Sequence, residues 1–305
     1  MSLNPIVLEK GLQATFFKAY DAGTPYHPSL CTEVPSTARQ EKYGWLGSAP
    51  TMREWVDERA PKALLSSEYT LVNKHYEASI NIDRDDLDDD QLGQHQFRVQ
   101  DMGNRARRHP DALLSTLIVD GEATACYDGQ YFFDTDHSEG SSGSLSNDLT
   151  QSVTSTALMT VAECKTAMNK AISAFVGFLD DRGQPYMEEW ELNASNFTVM
   201  VPAAHREPFQ ELFTSSVISN TTNVYQNKAR VLTNARLTSG TKLYFFYTGA
   251  PIKPFIYQNR QPPKPGFLGP DSDRGFMRRN LVFGVDARYN VGYGMWQFAV
   301  LITIS

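Results

Sequence analysis

Asp134, Asp136 and His137 sit within four residues of one another in the segment CYDGQYFFDTDH, residues 126–137. Carboxylate and imidazole ligands suit zinc or manganese, so a metal-dependent hydrolase is one reading of this segment. No HExxH and no second ligand set accompany it, and an Asp-Gly pair flanked by aromatics also reads as a tight turn with its polar side chains in water. A second concentration of charge, Asp83-Arg84-Asp85-Asp86-Leu87-Asp88-Asp89-Asp90, places six carboxylates in eight residues. It lacks the central Gly and closing Glu of a calcium-binding loop. The apolar pattern Leu92, Phe97, Val99, Met102 follows, and then Arg105, Arg107 and Arg108. Acid before and base behind complement a helix dipole, at about 0.3–1 kcal/mol per well-placed charge.

The remaining chemistry is sparse. Cys31, Cys126 and Cys164 are far apart with no CxxC pair. Any one could be a nucleophile, but the pattern reads as reduced thiols used as small apolar side chains. The six histidines, at 27, 75, 95, 109, 137 and 205, show no paired spacing. There is no GxxxxGK[ST], no GxGxxG after a strand and no GxSxG. Twenty-eight basic against thirty-five acidic residues give a net charge of −7, which argues against gripping nucleic acid by counterion release. No apolar run approaches the length of a membrane span, and the opening MSLNPIVLEKG does not read as a secretory signal. The sequons at Asn196 and Asn220 then read as chance matches.

The elements that must position these residues can be read from periodicity. Leu8, Leu12, Thr15, Phe16 and Ala19 fall at helical spacing, and the Pro-rich DAGTPYHPSLCTEVPST after them reads as extended chain with little core of its own. Residues 69–82 alternate in polarity and reach about 40 Å at roughly 3.3 Å per residue, enough for a long projecting hairpin. A helix is expected to stop or kink at Pro110, with a second apolar helix from Asp111 to near Gly121. SEGSSGSLSND, residues 138–148, reads as a flexible loop. Thr160 and Glu163 form a capping-box pattern ahead of an amphipathic helix of about five turns. FTVMVP, KARVLTNARL, TKLYFFYTG and PFIYQNR read as strands. Residues 262–275, with four Pro and three Gly, read as an exposed loop. The last thirty residues read as two long strands around a turn at Asn290–Gly294. The fold class is α+β.

A chain of 305 residues with an arm, a projecting hairpin and Pro/Gly loops buries little of those parts by itself. Such segments gain most when a neighbouring subunit covers them. The residue pattern therefore points to a self-assembling structural protein.

Specific motifs sharpen this. Tyr43-Gly44-Trp45-Leu46-Gly47 with Pro50 and Glu54-Trp55-Val56 is one. Others are Pro110-Asp111, Cys126-Tyr127-Asp128-Gly129-Gln130, Phe132-Phe133-Asp134 and His137. Pro254-Phe255-Ile256-Tyr257-Gln258 and Gly292-Tyr293-Gly294-Met295-Trp296-Gln297 close the set. In this order, across about residues 40–300, the chain resembles the major head subunits of Mu-like bacteriophages. The resemblance implies the HK97-type capsid fold: an N-terminal arm (1–40), an extended loop (41–82), and a spine helix (about 86–108) within a peripheral domain (83–154). An axial domain (155–250) and peripheral return strands (251–305) complete it.

It further implies a major capsid protein, not an enzyme and without a cofactor. Its copies form hexamers and pentamers of an icosahedral shell around double-stranded DNA, assembled in the host cytoplasm with scaffold, portal and decoration proteins. Trp45 and Trp55 are then candidate interface anchors, because aromatic residues often carry hot-spot energy. Arg278 and Arg279 are candidates to pair with the 83–90 acidic run of a neighbour, although exposed pairs contribute little. The alternatives are a shell of the same fold enclosing protein cargo, as encapsulins do, and the hydrolase built on Asp134, Asp136 and His137.

Overall fold

The computed structural model describes residues 5–44, 46, 69–83, 92–192, 195–270 and 272–305. Trp45, Trp55 and the acidic run from Arg84 to Asp90 lie outside the described residues.

The long axis is set by one helix. Helix α1 (Pro5–Ala22) lies along α2 (Leu92–Val119), which has 28 residues and contains Pro110 in its interior. Of the expected stop or kink, the helix does not stop at Pro110. Proline in a helix removes one backbone bond and costs about 3 kcal/mol. Here the ring is buried and the next residue is held from outside: Asp111 accepts the backbone N–H groups of Tyr26 and His27 and pairs with the His27 ring at 2.8 Å. Those contacts hold the chain helical through the break. The expected apolar stripe of the first helix finds a core of its own. Leu8, Leu12 and Phe16 bury one stripe against Val99, Met102, Ile82, Leu281 and Phe283. Gly103 permits the close approach: a Cβ there would sit 2.6 Å from the Phe16 carbonyl oxygen.

Beneath these helices lies a four-stranded sheet. Its strands are β1 (Cys31–Pro35), β4 (Lys74–Asp83), β11 (Phe255–Leu268) and β12 (Asn280–Tyr293), in the order β1-β11-β12-β4. A small sheet pairs β2 (Gln40–Lys42) with β3 (Thr70–Val72). Residues 74–83 do not form a free hairpin; they run antiparallel to β12, Lys74 opposite Tyr289 and Asp83 opposite Asn280. Nor is 262–275 a loop throughout, since β11 continues to Leu268 through Pro262, Pro263 and Pro265. The reason is positional. β1 pairs with β11 only as far as Asn259, so beyond that point β11 is an edge, where proline is tolerated. Register shifts between Asn259 and Lys264 absorb the irregularity.

The second sheet contains β5 (Asp148–Gln151), β6 (Phe197–Val201), β9 (Ala229–Thr233), β10 (Lys242–Tyr247) and β13 (Ala299–Ile304). The strand order is β5-β13-β10-β6-β9. The hairpin β7 (Val217–Ile218) and β8 (Thr221–Thr222) stands apart from it. Helices α3 (Val161–Gly177) and α4 (Arg206–Thr214) accompany this sheet, and Thr160 with Glu163 forms the expected capping box. The Glu163 carboxyl is held down to about 2 by the backbone N–H groups of Thr154 and Thr160. Strands β12 and β13 are not partners around a turn. The chain leaves one sheet at Tyr293, makes a single turn at Trp296–Phe298 and enters the other. Likewise β9 and β10 both flank β6 and do not pair with each other. The fold is therefore α+β, two sheets sharing one large aromatic core.

Candidate functional site

Within the segment 126–137, Cys126, Asp128 and His137 form a buried polar knot between the two sheets. Gly129 has φ +90°, the left-handed region that glycine enters without steric cost. The turn brings Asp128 between two partners. One carboxylate oxygen accepts the Cys126 thiol at 2.9 Å and the Gln130 N–H at 3.1 Å; the other takes His137 Nδ1 at 2.7 Å. The His137 ring, fully buried, stacks on the Trp296 indole with centroids 3.9 Å apart and planes 7° from parallel. Beside them Glu139 accepts the Tyr127 hydroxyl, Trp296 Nε1–H and Gln297 Nε2–H.

Electrostatics follow from burial. Burial pushes the Asp128 carboxyl up, but hydrogen bonds from His137 and Cys126 outweigh it and hold the group below its ordinary range. At Glu139 burial wins, and that carboxyl is raised. Burial, with Asp128 nearby, drives the Cys126 thiol well above its ordinary value. Burial likewise raises Cys31, and Cys164 to about 12. All three cysteines are buried and protonated, which does not suit a nucleophile.

The hydrolase reading does not survive this placement. The Asp134 carboxylate caps the backbone N–H groups of Tyr131 and Thr135, and Asp136 is exposed. His137 turns inward to Asp128 instead. Among the described residues, Cys126, Asp128 and His137 are the side chains that bring ligating atoms within 4.8 Å of one another. Asp128 stands between the other two at hydrogen-bonding distances, so the cluster is a proton-sharing network that fixes the loop.

Phe132 stacks on Tyr293 of β12 at 4.6 Å and touches Phe255 of β11, while Phe133 packs on Tyr244 of β10. The motif thus joins one sheet to the other. A second network ties the N-terminal segment to both: Tyr26 OH meets the Asp111 carbonyl and Ser115, and Asn234 Nδ2–H donates to Ser115. Sequence reasoning missed both networks; Tyr26 and His27 lie 85 and 84 residues from Asp111, beyond any local pattern.

Arg278 and Arg279 lie on α5 (Asp273–Arg278) and its cap, at the tip of the β11–β12 hairpin. Asp83, where the acidic run begins, faces Asn280 of the same chain. The conspicuous tip residues are ones that sequence reasoning passed over: Phe276 is 83% exposed and Met277 is 78% exposed. They stand between a Gly and two Arg at the start of the segment read as strand, which instead folds as the end of α5.

Residues 6–169 and 228–303 match the family described as Mu-like prophage major head subunit gpT. The chain belongs to this family. The head subunit is 28% identical over 297 residues to the Mu-like prophage FluMu major head subunit of Haemophilus influenzae, covering 96% of this chain and 72% of that one. It is 27% identical, with the same coverages, to the major capsid protein of Escherichia phage Mu. Among solved structures it superposes on the subunit of the bacteriophage JBD30 procapsid with a TM-score of 0.58 and 25% identity, covering 99% of this chain and 76% of that one. The fold of the head subunit is the HK97-like α+β capsid fold. The motifs 126–137, 254–258 and 292–297 all fall within the matched blocks, and they are the residues that lock the two sheets together.

Proposed function

We propose that this head subunit closes an icosahedral shell of hexamers and pentamers around double-stranded DNA. It is a major capsid protein that builds the virion head, and its family is structural, not enzymatic. The family match across residues 6–169 and 228–303 carries the reading. Assembly takes place in the host cytoplasm, and scaffold, portal and decoration proteins are its partners. Residues 1–40, 41–82, 83–154, 155–250 and 251–305 serve as arm, extended loop, spine helix with peripheral domain, axial domain and return strands. Trp45 and Trp55 anchor the extended loop on a neighbour, and Arg278 and Arg279 pair with the acidic 83–90 run of a neighbour.

Electron microscopy of the expressed protein tests this. Closed shells are expected, and a chain that stays monomeric at high concentration would overturn the proposal. Shells isolated from infected or induced cells should hold nucleic acid; consistent protein cargo in its place would favour a protein-enclosing compartment. A Trp45→Ala variant with unchanged shell yield would remove that anchor.

A further inference from the structure

A groove of about 460 Å³ runs between α2 and β4. Tyr76, Ala78 and Ile80 line it from the face of β4 turned toward the helix, and Met102 and Ala106 line it from α2. The rim on the helix is cationic. Arg98 and Arg105 stand about two turns apart on one face of α2. Arg105 is paired with Asp101 at 2.7 Å, whereas Arg98 has no ion pair among the described residues. His109 adds no charge at neutral pH, because burial lowers its pKa, and its Nδ1 meets the Tyr289 hydroxyl. The Tyr76 hydroxyl is buried in the groove without a hydrogen-bond partner. An apolar groove with an unpaired guanidinium and an unsatisfied hydroxyl suits an occupant that is apolar, anionic at its edge and able to hydrogen-bond.

The same chain carries a side chain of that description. Trp190, on the one-turn helix Glu189–Leu192, is 72% exposed. Among the exposed large apolar residues described, it is the one that the sequence sets between two carboxylates, Glu189 and Glu191, with Glu188 exposed beside them. The hairpin tip has the opposite sign, because Phe276 and Met277 lead directly into Arg278 and Arg279. The turn that presents Trp190 is also held in place. Leu192 packs on the large core, and the Glu191 carboxylate accepts the Glu188 backbone N–H at 2.8 Å. An aromatic ring on a fixed support loses little freedom on docking.

We infer that Trp190 of a second copy enters this groove, with its Glu188 against Arg98 and its indole N–H on the Tyr76 hydroxyl oxygen. Trp and Arg are residue types in which interface energy concentrates, and a guanidinium beside an indole face adds cation–π attraction. Knob and groove are different surfaces of one chain, so the contact is heterologous and repeats from subunit to subunit. The inference rests on the shell reading and names a contact within it.

Charge reversal tests it. Arg98→Glu and Glu188→Arg, each alone, should cut shell yield about tenfold or more while leaving the circular dichroism of the subunit unchanged. Combined in one chain they should restore the yield, since each contact is then reversed on both sides. A chemical footprint gives a second measurement, because the three native thiols are buried. The thiol introduced by Ala78→Cys should react with maleimide in unassembled subunits and be protected in shells. Full yield in either reversed variant, no recovery in the combination, or a groove thiol that reacts equally in both states or is already shielded in the free subunit would each overturn the contact. So would a Trp190→Ser chain that assembles fully with the groove thiol protected, because another segment would then fill the groove. Failure of the unaltered chain to form particles would instead overturn the shell reading beneath it.

Discussion

Asp128 and Glu139 sit in one buried network with opposite tendencies, and that difference is measurable. Asp128 is held below its ordinary value, so its contribution to stability is present above the unfolded carboxyl range, about pH 3.9. That contribution is lost as pH falls through the lower folded value. Glu139 is raised, so the unfolded chain ionises first and stability declines as pH rises from about 4.3 through the folded value. Glu139→Gln keeps a side-chain oxygen for Trp296 Nε1–H and removes the titration. Relative to the unaltered protein, this variant should gain in urea midpoint as pH rises above about 4.3, because it lacks the Glu139 loss; a difference between the two that does not change with pH would assign the titration elsewhere. Asp128→Asn leaves either the Cys126 thiol or His137 Nδ1 facing an amide N–H, and should cost about 1–3 kcal/mol at neutral pH. The sequence shows Asp128 and His137 nine residues apart, with a turn between them. It does not show Trp296, which lies more than 150 residues later and whose stacking decides that the histidine points inward.

At the scale of elements, the parts legible in the sequence are those whose signal is local. The capping box at Thr160 and Glu163 and the apolar stripe of α1 are both of this kind. So is the run Phe197–Val201, a fully buried strand. The elements that differ from expectation are governed by remote partners. Pro110 lies inside a helix because Tyr26 and His27 hold the following residue, and the prolines of β11 lie in a strand because β1 stops at Asn259. Gly103 makes a further element-level argument. Its missing side chain leaves room for the Phe16 carbonyl and the Tyr20 N–H of α1, at 2.6 and 3.3 Å from where a Cβ would stand. Gly103→Leu gains about 1 kcal/mol of helix propensity in α2 but forces apart two backbones at a cost of about 1–3 kcal/mol. The expected result is a detached α1. Amides of residues 5–22 should exchange faster and be cleaved earlier by protease, while the β6–β10 core keeps its protection. If α1 remains protected, the close approach is not what seats it.

At the scale of the whole molecule, the residue pattern implies a chain that is incomplete alone, whereas the described residues hold most of what they need internally. Phe132, Tyr293, Phe255 and Phe246 form a continuous aromatic row across the junction of the sheets. The first helix closes a second, smaller core over β12. A subunit built in this way folds first and associates afterwards, because the aromatic core and both buried networks close within one chain. Folding and assembly should therefore separate on dilution. Below the concentration at which shells form, the isolated subunit should show native near-ultraviolet circular dichroism from its buried tryptophan and tyrosines. It should also unfold in a cooperative denaturant transition whose midpoint does not depend on concentration. A midpoint that shifts with subunit concentration would mean that contacts between copies complete the fold, as in obligate oligomers. Contacts between copies would then be supplying folding energy and not only the geometry of the shell.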